Sequence, residues 1–327
     1  TIVRLLNQRA CGHPVHGISA GATQRAIDAA TARQIALPLA RGVSVGGARG
    51  IKERAIIKAG LVEAMDIYEL SDSRIRQGQA ESKAANMEDR IRYFREDALL
   101  TARKERYELV YWNNALHHMF DVFDAIAWSH AVLRRGGLFL MDDFTGPDRF
   151  QFSSASLDIA SAIRAELPTK YLRHADHLDR EYKKKLVSID PKALAAADPS
   201  EAADSGRILD AVKAYFPQAD VVSMGGVVYN LALKDIVVNF DEADAGDRAR
   251  LETLLSMDAV LDRNANIDTH YTIAIAFKNG PLDLSRVAAA RIRSAARRLQ
   301  PRRIRDSARH NAPAWVLDVL RRLRNRK

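Results

Sequence analysis

The feature that most narrows the folds open to this chain is an alternation between residues 40 and 145, where short apolar runs trade places with segments of helical spacing. The runs are VSV at 43–45, AMDIYEL at 64–70, IRYF at 91–94, ELVYW at 108–112 and GLFLMDDF at 137–144. Segments such as 51–62 and 122–133 lie between them with apolar residues at helical intervals. Strand and helix in turn predict a doubly wound α/β fold, a parallel sheet covered on both faces. Ligands of such sheets sit beyond the carboxyl ends of the strands, so chemistry is sought in the residues that follow each run.

The rest of the chain divides around this core. Residues 1–39 read as an irregular start and then a helix over ATQRAIDAATARQIAL, ended by Pro38. After the core at 40–145, residues 146–217 turn helical, charged and strandless, which predicts a helical cap inserted over the substrate side. Strand character returns at 219–224 and 270–277, so 218–280 is expected to complete the sheet around a helical stretch at 248–261. Residues 281–327 hold two amphipathic helix candidates, 285–299 and 313–326. The single cysteine, Cys11, excludes an internal disulfide. No run reaches the roughly 18 apolar residues of a membrane span, and no charged-then-apolar leader follows Thr1.

Charge is placed unevenly. The net charge is +9, yet residues 281–327 alone carry 14 Lys+Arg against 3 Asp+Glu, a net of +11, which leaves −2 for the remainder. The tail therefore reads as a basic appendage on a near-neutral body, removable without loss of ligand binding. Two readings stay open for it: a solvated terminus, or an amphipathic pair on an anionic membrane surface, with Trp315 and Leu320 buried and 321–327 among headgroups. A nucleic-acid partner is not expected, because the body lacks the charge for one.

Chemistry-bearing residues gather at the strand ends. VSV runs into Gly46-Gly47-Ala48-Arg49-Gly50, a turn whose small residues let backbone N–H groups approach a ligand at a helix start. The second strand ends at Glu69, where a carboxylate can accept from both hydroxyls of a ribose. The third is followed by Asp97 and Ala98, the fourth by Asn113, Asn114, Ala115, Leu116, His117 and His118, and the fifth by Asp142 and Asp143.

In order and spacing, the blocks SVGGARG, DIYELSDSRI, IRYFREDA, ELVYWNNALHHM and LRRGGLFLMDDF resemble a class I S-adenosylmethionine-dependent methyltransferase. Later blocks, GPDRFQF, DPSEAADSGRIL and GGVVYNLALKDIVVNF, are similar to a bacterial subgroup found with polysaccharide genes. The resemblance implies a Rossmann-like seven-stranded methyltransferase sheet with a helical cap. It implies S-adenosylmethionine as cofactor, with Gly46, Gly47 and Gly50 at its methionine part, Glu69 on the ribose and Asp97 on the adenine amino group. Ala98 would offer its N–H to the ring, and Asn113 and Asn114 would lie beside the sulfonium. The acceptor it implies is a small molecule or glycan hydroxyl, methylated by a cytoplasmic enzyme peripheral to the inner membrane face. Two departures stand out: Ser44 where the family has an acid, with Glu53 later as its subgroup match, and Ala48 where it has glycine.

An acceptor hydroxyl must lose a proton, and His118, His117 and Asp143 are the candidate catalytic groups near the methyl position. Adjacent strand carboxylates point to opposite faces, so Asp142 and Asp143 predict no metal site. Arg149, Tyr171 and His174 are candidate substrate contacts, with His177, Tyr182 and Phe152 nearby. Two alternatives stay open: a nicotinamide-dependent Rossmann oxidoreductase, which shares the glycine turn and Glu69, and a non-catalytic binding module in which Ser44 and Ala48 mark a degraded site.

Overall fold

The computed structural model describes residues 20–100, 105–174, 180–241, 243–263 and 267–299, together with Val316 and Val319. Seven strands form one sheet: β1 (Leu39–Val45), β2 (Val62–Tyr68), β3 (Ile91–Phe94), β4 (Tyr107–Asn113), β5 (Leu133–Phe144), β6 (Asp220–Ser223) and β7 (Tyr271–Phe277). Their order is β3-β2-β1-β4-β5-β7-β6, with β7 antiparallel to both neighbours and β1 to β5 parallel. The parallel run β1 to β5 is what the alternation predicts and the seven-stranded, doubly wound Rossmann-like sheet is what the resemblance implies, while the antiparallel β7 makes the sheet mixed and not wholly parallel. Helices α1 (Ala20–Ala32), α2 (Ile51–Lys58), α3 (Asp72–Ala84) and α4 (Val122–Val132) connect or cover its first half.

Why the core runs are so continuously apolar is plain in β4. Leu109 and Tyr111 join one buried cluster with Ile56, Ile57 and Met65, whereas Val110 and Trp112 join another with Phe123, Ile126 and Phe139. Side chains alternate along a strand, so one buried on both faces needs apolar residues at nearly every position. Local signals set the helix starts, as where the Asp121 carboxylate accepts from Phe123 N and Asp124 N at the head of α4.

Beyond β5 come α5 (Ser154–Glu166), α6 (Pro191–Ala197), α7 (Ile208–Tyr215), α8 (Ala245–Leu261) and α9 (Leu284–Leu299). Two findings refine the sequence boundaries here. α7 belongs to the sheet layer, since Ile208, Ala211, Val212 and Phe216 pack into the cluster containing Phe123 and Phe139. The cap core instead spans the expected boundary at 217: Ile159, Ile163 and Tyr171 pack with Val227, Val228, Leu251, Leu254 and Val316. Amphipathicity locates a buried face but not its partner, so an α7 stripe reads the same whether it covers sheet or cap.

The basic tail is also reassigned in part. Helix α9 lies against the sheet layer through Val287, and its arginines meet acids of the body. Arg291 pairs with Asp121 at 2.5 Å and Asp124 at 2.8 Å, while Arg298 reaches Asp204 at 3.0 Å and Asp148 at 3.2 Å. A near-neutral body thus has a locally acidic face that holds the helix, so this stretch is no loose appendage. Trp315, Leu320 and 321–327, on which the membrane expectation rests, lie outside the described residues. No helix among the described residues is long and apolar enough to cross a membrane. Deleting 281–327 removes the buried Val287 and Val316, each worth about 1.5–3 kcal/mol. The deletion should lower the urea midpoint clearly; an unchanged midpoint would show that α9 does not belong to the body.

His270, with no exposed surface, joins the cap to β7: its N–H bonds Gly225 O at 2.8 Å and its Nδ1 faces Asn230 Nδ2 at 3.2 Å. Burial pushes its pKa down to about 4 against the opposing charge of Asp268. A histidine kept neutral by folding contributes stability that is full above its unfolded value near 6.5. That stability is lost as pH falls through 4, up to roughly 3 kcal/mol. Chemical denaturation at pH 7.5 and pH 4.5 should show this loss in the native chain and a smaller one in His270→Gln; equal losses would contradict the assignment.

Candidate functional site

From β1 the chain winds outward through β2 and β3, and from β4 it winds the other way through β5, so the carboxyl ends of β1 and β4 part and leave a crevice. The loop after β1 lines it with a left-handed backbone at Gly46 (φ 66°), Ala48 (φ 50°) and Gly50 (φ 71°). A Cβ on Gly47 would stand 2.8 Å from Ile67 Cγ2, and Gly50 combines a left-handed φ with Ile67 Cδ1 at 2.9 Å, so both positions favour glycine.

Beneath this loop the Ser44 hydroxyl donates to Glu53 Oε1 at 2.7 Å, while Glu53 Oε2 has no partner among the described residues. Burial raises the Glu53 pKa, with Ser44, Lys52 and Arg54 opposing. A buried carboxylate thus stands beneath the loop, brought there by α2 and held by the Ser44 hydroxyl of the strand. Across the loop, Glu69 accepts from Ala48 N at 3.1 Å and Ser71 N at 2.8 Å. Each of its oxygens keeps a further lone pair.

Asn113 and Asn114 stand at the end of β4. The Asn113 amide donates to Asp142 Oδ2 at 3.3 Å, and its oxygen accepts from the Lys52 ammonium. Burial lowers the Lys52 pKa, while the charges of Glu53, Asp142 and Asp143 raise it. Asp97, exposed after β3, accepts from Leu99 N at 2.9 Å, and Ala98 is buried beside it. Gly46, Gly47, Gly50, Glu69, Asp97, Ala98, Asn113 and Asn114 thus share one end of the sheet.

Next to Asn114 lies a second cluster. Asp143, fully buried, accepts from Ala115 N and Leu116 N at 2.8 Å each, from His117 N at 3.3 Å and from Phe144 N at 2.9 Å. It also binds His117 Nδ1 at 2.6 Å. The structure makes Asp143 a clamp on this turn rather than a free base. His117 Nε2 faces Glu201 Oε1 at 3.4 Å, and the His118 ring is tilted against it with centroids 4.3 Å apart. Burial disfavours charge on His117, but Asp143 and Glu201 outweigh it and lift the pKa to about 9. His118 moves the other way, lowered by burial and by the charge of His117. Its Nδ1 lies 3.0 Å from Ser200 Oγ, and that hydroxyl donates to Asp198 Oδ1 at 2.6 Å.

Glu201 and Ser200 were not among the expected site residues, and neither was Lys52. The loop carrying the first two is held by several contacts: Ala203 N bonds His117 O at 3.2 Å, and Asp204 accepts from Val122 N at 3.0 Å. Arg298 of α9 adds a bond to Ala203 O at 2.7 Å.

The three expected substrate contacts fare differently. Arg149 donates to the carbonyls of Pro199 at 2.7 Å and Glu201 at 2.8 Å, so its guanidinium holds the loop. Tyr171 is wholly buried in the cap core, stacked on Phe240 at 4.2 Å, and accepts from Arg250 at 2.6 Å, away from the crevice. His174 stacks on Tyr182 at 3.7 Å in the cap, and His177 lies outside the described residues. Phe152 packs against His270 at 4.5 Å.

No family model matches the chain, and a search of the curated proteins finds no match. Solved structures resemble it in overall trace. A geranyl diphosphate C-methyltransferase from Streptomyces coelicolor, complexed with Mg2+, geranyl-S-thiolodiphosphate and S-adenosyl-L-homocysteine, is 13% identical with a TM-score of 0.48, covering 82% of this chain and 84% of that one. A phosphoethanolamine N-methyltransferase from Haemonchus contortus, with phosphomonomethylethanolamine and S-adenosylhomocysteine, is 13% identical with a TM-score of 0.44, covering 85% and 57%. At such scores these likenesses carry nothing about the ligands of this chain.

If Asp143 is the clamp, Asp143→Ala strands buried N–H groups and the His117 charge, which should cost about 3–5 kcal/mol in urea unfolding. A change below about 0.5 kcal/mol, the range of an ordinary surface substitution, would contradict this.

Proposed function

We propose that the chain is an S-adenosylmethionine-dependent methyltransferase acting on a hydroxyl of a small-molecule or glycan acceptor. The observation that carries the reading is the charge pattern of the crevice. A buried acid, Glu53, lies under the glycine loop and a second, Glu69, lies across it. Glu53 Oε2, buried without a partner, is suited to receive an ammonium, and Lys52 at the head of α2 a carboxylate, as an amino-acid moiety requires. An acid in that place opposes the pyrophosphate of a nicotinamide dinucleotide, which disfavours the oxidoreductase alternative.

When bound, the donor supplies a methyl group on a sulfonium, displaced in line by the acceptor oxygen. The protein's part is to hold and align. Glu69 takes the ribose hydroxyls, Asp97 and the Ala98 N–H the adenine, and the backbone of 46–50 the amino-acid end. Asn113 and Asn114 border the reacting region, and the His117, His118 and Glu201 cluster receives the acceptor's proton. Orientation in such a site can supply much of the rate.

A sugar or polysaccharide acceptor is supported by the later sequence blocks and by aromatic faces beside the cluster. The Phe144 ring meets His117 at 6.0 Å and Phe150 at 4.9 Å, and Phe150 is stacked with Phe152 at 6.0 Å. Phe144 is buried behind them, and the half-buried rings of Phe150 and Phe152 suit the C–H faces of a sugar. Calorimetry with S-adenosylhomocysteine should show saturable binding, weakened about 10-fold or more by Glu69→Ala, since a hydrogen bond to a charged group is worth about 1.5–3 kcal/mol. His118→Ala should keep that affinity and lower methyl transfer to glycan acceptors about 100-fold. Saturable NADH binding with no response to S-adenosylhomocysteine would overturn the reading.

A further inference from the structure

We propose that His117, His118 and Glu201 form a binding site for a divalent cation of the zinc class. Each offers one ligand atom, and the three atoms lie within 4.8 Å of one another. His117 Nε2 and Glu201 Oε1 are 3.4 Å apart, and ligands about 2.05 Å from a tetrahedral zinc stand about 3.3 Å from each other. The claim concerns binding alone and stands apart from the methyl-donor reading; with the ion in place these side chains carry the metal in place of the acceptor's proton.

The hydrogen bonds around the two imidazoles set which nitrogen of each is left for a cation. Asp143 Oδ1 takes the N–H of His117 Nδ1 at 2.6 Å, so the cation takes the place of the proton on Nε2, the nitrogen that faces Glu201. Because the Ser200 hydroxyl donates to Asp198, its oxygen remains to accept the N–H of His118 Nδ1, which leaves the His118 Nε2 lone pair free. Histidines that bind metals are oriented in this way, through a carboxylate or hydroxyl on the nitrogen that is not the ligand. Asp143 is in turn fixed by the backbone N–H groups of 115–117, so the ligand set is built into the turn after β4.

Two imidazoles and one carboxylate favour zinc, cobalt or iron over magnesium or calcium, which prefer oxygen ligands. Three protein ligands leave a coordination position for water or an acceptor oxygen, and the Glu201 side chain, 24% exposed, keeps the site reachable. The sequence hides the site because Glu201 lies 83 residues beyond His118, and Asp142 and Asp143 drew the metal question to the wrong pair.

The test uses the full chain stripped with chelator and titrated with Co2+ and Zn2+. One equivalent of Co2+ should give the visible d–d absorption of a low-coordinate site, displaced by Zn2+ and not by Mg2+. His118→Ala and Glu201→Ala should each weaken binding at least 10-fold, and Ser200→Ala, which removes the outer hydrogen bonds to His118 and Asp198 but no ligand, should weaken it less. Cys11, His13 and His16 offer another set of donors in the sequence, so Cys11→Ser is titrated in parallel. Binding lost in Cys11→Ser and intact in His118→Ala and Glu201→Ala would overturn the proposal, as would no Co2+ spectrum in the unaltered chain.

Discussion

The arrangement depends on one buried carboxylate. Asp143 ends β5, yet it accepts N–H groups from three successive residues of the turn after β4 and the imidazole of His117. An ionised carboxylate without exposure survives only where donors surround it, and here those donors lower its pKa against the burial that would raise it. One interaction thereby ties two central strands together, fixes the turn bearing both histidines and holds His117 protonated between Asp143 and Glu201.

The same logic separates the two halves of the crevice. At the β1 end, Ser44 and Glu53 put a buried acid beneath a loop that favours glycine at two positions. At the β4 end the cluster opens toward aromatic rings and the cap. Between them Lys52 reaches from α2 to Asn113, joining the elements that would face an amino-acid ligand and an acceptor. The loop at 198–204 lies against the histidine turn at the β4 end and is itself held by Arg149 and by Arg298 of α9. Helix α9 of the basic tail is thereby connected to this loop through an ion pair to the buried Asp204.

Much of this was legible in the sequence. All seven strands fall where apolar runs stand: the five inner ones because a strand buried on both faces is apolar nearly throughout, and the edge strands β3 and β6 through shorter runs with exposed positions. The strand-end residues were equally legible, since their place follows from the strand. What escaped were interactions whose partners lie far along the chain. Glu201 meets His117 across 84 residues, and nothing local distinguishes DPSEAAD from an ordinary acidic turn. Arg149 and Tyr171 had the chemistry of ligand contacts but are occupied by carbonyls and by Asp247 and Arg250, partners that only the folded chain supplies. For the same reason the net charge of the tail said nothing of the acids that receive α9.

The central claim is that the crevice between β1 and β4 holds the methyl donor with its ribose on Glu69. A crystal structure of the chain with S-adenosylhomocysteine tests it most directly. The account predicts density in that crevice, with the ribose hydroxyls within hydrogen-bond distance of the Glu69 carboxylate and the amino-acid end over Gly46 to Gly50. Density elsewhere, or a ribose turned away from Glu69, would contradict it.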